Sequence, residues 1–302
     1  MLIYKNKNLI VGALLVTLLF ILKYPILNTP HFWDATLWIK SAYWTLNNNF
    51  NPVLPFPLEN GGLDTGHPPL VFLSLALAFY LFGNSLITAH FVMLLFAVIT
   101  IIFTYLLASY LYDEKVGIIS SLFLLFSPLF FAQSGIVSLD LPLAAFTIST
   151  IYFALRNNII GYLISGALLA LSKEPGVLTI IAILVYIFIK NYKESKQELI
   201  KKCFIYSIPI IIFAIWIYYH AINQPIYNAI SGSSEFWRPI TPIIFFRFLN
   251  RLKFLFLENF HWVLTLIILI TLSNTKKLIK ITRKRLLISV LITLLLIYSF
   301  KA

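Results

Sequence analysis

Apolar residues run along this chain in long continuous stretches separated by short polar ones, with no alternating pattern of period two. Continuous runs predict helices surrounded by apolar material rather than half-buried strands. They place spans at about 8–27, 85–111, 116–132, 141–155, 159–172, 175–190, 203–222, 260–273 and 286–300. The predicted fold class is all-α, a polytopic transmembrane helical bundle of about nine spans, with residues 1–302 forming a single module. The first run follows a basic start, Lys5 and Lys7, but has no small-residue cleavage site and continues to Lys23-Tyr24-Pro25, so it reads as an uncleaved span.

One further apolar run, 70–82, has about 13 residues and suits a re-entrant or interfacial helix better than a crossing. Its status decides the topology. If it does not cross and the N-terminus is cytoplasmic, fifteen of the 23 Lys and Arg residues fall inside, whereas a crossing reverses that count, so the positive-inside rule favours the first arrangement. The acids then segregate the other way: Asp113, Glu114, Glu194 and Glu198 inside, against Asp34, Glu59, Asp64, Asp140, Glu174, Glu235 and Glu258 outside. Because acids contribute little to insertion, this asymmetry is independent of the choice and points to chemistry on the outer face.

Composition narrows the class. Of the 302 residues 60% are hydrophobic and 11% charged, far above the roughly half-apolar usage of a soluble domain. The net charge of +12 raises nucleic acid as a partner, but the basic residues lie between spans rather than on a helix face, so no nucleic-acid binding is expected. The single cysteine, Cys203, excludes an internal disulfide and a cysteine-based zinc cluster, and reads as a small hydrophobe.

Four polar clusters map to the outer face. The loop 28–69 carries His31, Trp33, Asp34, Asp64 and His67. In HFWDATLW, Asp34 is either a half-buried carboxylate suited to general-base work or the N-cap of a helix over 35–46. In LDTGHPPLVF, Gly66 permits a tight turn and Pro68-Pro69 start a helix, so His67 is either aimed back at the Asp34 loop or simply solvated. Asp140, in SLDLP, is a site carboxylate or a helix cap. Lys173, in LSKEPG, can hold a phosphate, pair with Glu174 or snorkel to the bilayer edge. A second outer loop, 223–259, has basic and apolar residues at helical spacing over 243–257, Arg247 and Arg251 among them, as expected of an interfacial helix that touches lipid phosphate or anionic headgroups.

Together FWDA, HPPL followed by LFGNS, SPLFFAQSGIVSLDLPLAAF and LSKEPG resemble the GT-C superfamily of membrane glycosyltransferases, in its protein-mannosyltransferase and aminoarabinose-transferase-like branch. The resemblance implies inverting transfer of a sugar from a polyprenyl-phosphate donor to a hydroxyl of a protein or glycolipid, on the extracytoplasmic face of a plasma membrane. It implies Asp34 as catalytic base, with Asp64 or Asp140 as a second carboxylate. His67 stands where relatives often carry a lysine that contacts lipid phosphate, and Lys173, Arg247 and Arg251 are the other expected phosphate contacts. Trp33 and Glu174 are expected at the substrate. No cofactor is assigned: a divalent metal is compatible with the superfamily and would use Asp34, Asp64 and Asp140, but no ligand spacing demands one. Relatives continue past a Ser-Phe-Lys-like sequence, and this chain stops at Ser299-Phe300-Lys301-Ala302, so a C-terminal truncation is expected.

Two other classes compete. A transporter or flippase for a lipid-linked sugar would carry ionisable residues at mid-span, whereas the acids here lie in loops. A structural membrane subunit without chemistry is the third reading.

Overall fold

The computed structural model describes residues 2–55, 63, 66–224 and 253, with side chains from residue 10 onward. Two compact units divide the chain, Met1–Phe126 with Phe130–Ile230, and Ser127–Leu129 with Ser231–Ala302. Asp64, Arg247, Arg251, the expected interfacial helix over 243–257 and the spans at 260–273 and 286–300 lie outside the described residues.

The described residues are all-α. Their helices are α1 (Leu2–Lys23), α2 (Asp34–Asn47), α3 (Leu70–Phe82), α4 (Leu86–Leu111), α5 (Glu114–Leu125), α6 (Pro128–Gln133), α7 (Asp140–Leu155), α8 (Ile159–Ala170), α9 (Gly176–Asn191) and α10 (Lys196–Asn223). The run expected as one span over 116–132 is thus two helices. Proline supplies the reason, since Pro128 has no N–H to continue a ladder but fits the first turn of a new helix.

Within the first unit, α4 is the packing axis, with α1, α3, α5 and α7 against it. Its buried residues, among them Val92, Met93, Leu94 and Phe96, lie on several faces of the helix, as they must in an element surrounded by others. α10 is the reverse case: Ile211, Ile215, Tyr218 and Ile222, spaced as one helical stripe, are all exposed. An apolar stripe of this kind needs a hydrocarbon solvent. α4 and α10 are the described helices long and apolar enough to cross a bilayer unaided.

Two sets of contacts define the two ends of this unit. At one end the Tyr110 hydroxyl donates to the Leu155 carbonyl, Lys190 donates to Asn157 Oδ1, and Lys202 donates to Glu194. Three helices start at this end behind side-chain caps, with Asp113 Oδ1 accepting from Val116 N–H, Asn158 Oδ1 from Gly161 N–H and Ser195 Oγ from Glu198 N–H.

At the other end the Leu70 N–H, opening α3, donates to the Leu171 carbonyl past the end of α8. After α3, Ser85 caps α4, and His90, one turn into α4, reaches the carbonyls of Thr29 and Gly135 in the loops after α1 and before α7. Both termini of α3 therefore lie at the same end of the bundle. This helix runs beside α2 in parallel, because His67 meets Trp38, Phe79 meets Tyr43 and Tyr80 meets Phe50, in rising order along both segments.

Candidate active site

Besides α4, which Ser85 caps, four helices, α2, α3, α7 and α9, start at the end that holds both termini of α3. Their cap positions are Trp33, Pro69, Leu139 and Pro175, and none has a side-chain cap. The partial positive charge of helix starts is left without the side-chain oxygens that cover it at the opposite end. This end is suited to negative charge.

Asp34 is not an N-cap. It is the first residue of α2, behind Trp33, and its carboxylate makes no hydrogen bond or ion pair among the described residues. It belongs to the stripe Asp34, Trp38, Ser41, Thr45, whose other members are buried, but at the helix end the stripe emerges into the open. Trp33, 87% exposed, holds φ at +53°, a strained conformation for a bulky residue. Such strain gathers at functional sites.

The turn between α8 and α9 supplies the next two groups. Glu174 accepts a hydrogen bond from His67 Nδ1 at 2.8 Å, and the ring of Trp38 is 5.7 Å from that imidazole. Since α2 and α3 are parallel, Asp34 sits at the His67 end of the pair, one helical turn before Trp38. Lys173 donates to Asp140 Oδ1 at 2.8 Å. Neither Asp140 nor Lys173 follows its simpler reading: the acid heads α7 without capping it, and the lysine bridges to the acid of another helix rather than to its neighbour Glu174.

A cavity of about 240 Å³ adjoins the start of α2, and Ala35 is in its wall. Lys23, His31 and His90 also line it. Lys23 is 1% exposed, donates to the Phe131 carbonyl and lies 3.5 Å above the centre of the Phe131 ring. His90 presents Nδ1 to the Gly135 carbonyl at 2.6 Å and Nε2 to the Thr29 carbonyl at 2.9 Å, and its ring lies 4.5 Å from that of His31. Burial first, and the charge of His90 second, push the His31 imidazole down to about 4.

The sequence singles out none of these three as a site residue. Its available signals were a lysine closing an apolar run and a histidine set inside one, each unusual in a span. Among the described residues no cluster of His, Cys, Asp and Glu has the make-up of a metal site.

Residues 66–219 match the family model described as dolichyl-phosphate-mannose-protein mannosyltransferase. The match begins after Asp34 and includes His67, Asp140, Lys173 and Glu174. No curated protein and no solved structure matches the chain.

Proposed function

The chain belongs to the dolichyl-phosphate-mannose-protein mannosyltransferase family, a family of membrane glycosyltransferases, and from that membership we propose an inverting transferase that moves a sugar from a polyprenyl-phosphate donor to a hydroxyl of a protein or glycolipid. The reading puts the site on the extracytoplasmic face of a plasma membrane, with a cytoplasmic N-terminus and about nine spans. Asp34 takes the proton of the acceptor hydroxyl as its oxygen attacks the anomeric carbon. The bond from that carbon to the phosphate oxygen breaks, and the polyprenyl phosphate leaves as an anion.

One observation carries the reading: an exposed carboxylate without a partner among the described residues, Asp34, shares one end of the bundle with two cross-linked pairs, His67–Glu174 and Lys173–Asp140. Displacement with a phosphate leaving group needs one base and nearby positive charge, without the close carboxylate pair of a retaining hydrolase. Lys173 and His67 supply that charge, and Arg247 and Arg251, outside the described residues, are expected as phosphate contacts from the sequence alone. Glu174 and Asp140 orient the first two, Asp64 is the alternative second carboxylate, and Trp33 offers its exposed ring to the sugar. Asp34, His67, Asp140, Lys173 and Glu174 lie at helix ends rather than at mid-span, which is the arrangement of a surface enzyme rather than of a carrier.

The test is transfer by the purified full chain from polyprenyl-phosphate hexoses and pentoses to peptide and glycolipid acceptors. A general base contributes roughly 10²- to 10⁴-fold, and Asp34→Asn is expected to lower turnover by that factor with donor binding retained. Undiminished turnover by the variant would remove Asp34 as base. Absence of transfer by the unaltered chain from every such donor would overturn the activity itself.

A further inference from the structure

Lys23 poses a problem that the transfer mechanism leaves unsolved. Its ammonium is 1% exposed, yet its partners are a carbonyl and an aromatic ring, both of Phe131. Among the described residues no acid lines the cavity beside it. A buried cation without a counter-charge is costly, and an ammonium has three donors, of which the carbonyl and the ring face take two. The third is available to the cavity.

The walls suit the same conclusion. His90 is held by the carbonyls of Thr29 and Gly135, which ties the loops after α1 and before α7 around the space. His31, tilted against the ring of His90, makes no hydrogen bond among the described residues. At about 240 Å³ the cavity has room for several waters, at ~30 Å³ each in the liquid, or for one phosphate group. Ala35 places it next to Asp34, and the uncapped start of α2 adds a partial positive charge.

By contrast Lys173 and His67 are already engaged by Asp140 and Glu174. We infer that the cavity formed by Lys23, His31, His90, Thr29, Ala35 and Gly135 is a binding site for a phosphate monoester or diester anion, with Lys23 as its principal cation. Identifying that anion as the donor's phosphate rests on the transferase reading above. The cavity then seats the phosphate beside the start of α2, where Asp34 stands.

The experiment is titration of the detergent-solubilised full chain with inorganic phosphate, with farnesyl phosphate and with farnesol, by calorimetry. Lys23→Met and Lys23→Arg are compared with the unaltered chain, and ligand-free melting temperatures confirm that each is folded. Removing an uncompensated buried charge leaves the fold intact or firmer, so Lys23→Met is a usable variant. Farnesyl phosphate affinity is expected to fall about tenfold or more in Lys23→Met and to recover largely in Lys23→Arg. A parallel loss for inorganic phosphate would show that the anion suffices, and a loss confined to farnesyl phosphate that the site takes lipid-borne phosphate. Binding within twofold of the unaltered chain in Lys23→Met, or equal binding of farnesol, would overturn the site. Either result leaves the role of Asp34 in transfer to be judged by its own assay.

Discussion

The imidazole of His67 donates to the carboxylate of Glu174 at 2.8 Å across 107 residues of chain, and so fastens the loop before α3 to the turn between α8 and α9. Lys173, the residue before Glu174, reaches the other way to Asp140 at the start of α7. Two consecutive residues thus join three segments at one end of the bundle.

These pairs are expected to matter more for turnover than for stability. Lys173 is 21% exposed and Asp140 60%, and ion pairs this open contribute under about 1 kcal/mol. A double-mutant cycle with Lys173→Met and Asp140→Asn, read by thermal unfolding, should give a coupling in that range. Transfer by Lys173→Met should fall on the order of 10²-fold, the scale of losing one electrostatic donor from a reaction centre. A loss of turnover no greater than the loss of folded protein would deny the lysine a part in the chemistry.

Acid should weaken the fold through His31. The folded chain holds this imidazole down to about 4, whereas the unfolded chain takes up its proton near the ordinary 6.5. The unfolded state therefore binds more protons between those values. The contribution of His31 is whole above about pH 6.5 and is lost progressively as the pH falls toward 4. Melting temperatures from pH 7.5 to 4.5 should fall more steeply for the unaltered chain than for His31→Gln. Equal slopes would mean that the group is not held neutral in the folded chain.

Gly176, the first residue of α9, has no room for a side chain. A Cβ there would stand 2.5 Å from the Leu169 carbonyl oxygen, a backbone atom that cannot swing aside. Gly176→Ala is expected to cost about 1–3 kcal/mol, the range for overpacking a filled contact. The displaced α9 would carry the Lys173-Glu174 turn with it, so transfer should drop further than the melting temperature alone explains. Unchanged melting would show that α8 and α9 are not in close contact at this point.

The shared end of the bundle is open to direct mapping. In a Cys203→Ser background, single cysteines at Asn51, before α3, and Lys193 occupy opposite ends, and an impermeant thiol reagent added to intact cells should label one and not the other. Labelling of both from the same side would mean that α3 crosses after all, and that the acids are divided between two faces.

Much of this arrangement is legible in the order of residues alone. Continuous apolar runs determine that the chain is helical and membrane-embedded, since a backbone in hydrocarbon must satisfy its own hydrogen bonds. The shortness of 70–82 and the distribution of Lys and Arg set α3 apart from the expected spans, and the motifs around Asp34, His67, Asp140 and Lys173 pointed to the glycosyltransferase family. Partner choice was not legible. That Glu174 serves His67 and not the adjacent Lys173, and that Asp140 and Asp34 begin helices without capping them, depend on which helix ends the packing around α4 brings together. The Lys23 cavity is of the same kind: residues 23, 31, 90 and 135 sit in four segments, and only close packing reveals that the lysine is buried with no acid among the described residues beside it. Periodicity reports how deeply a residue is buried, because that is a property of its own helix. What it is buried against is a property of the assembled bundle.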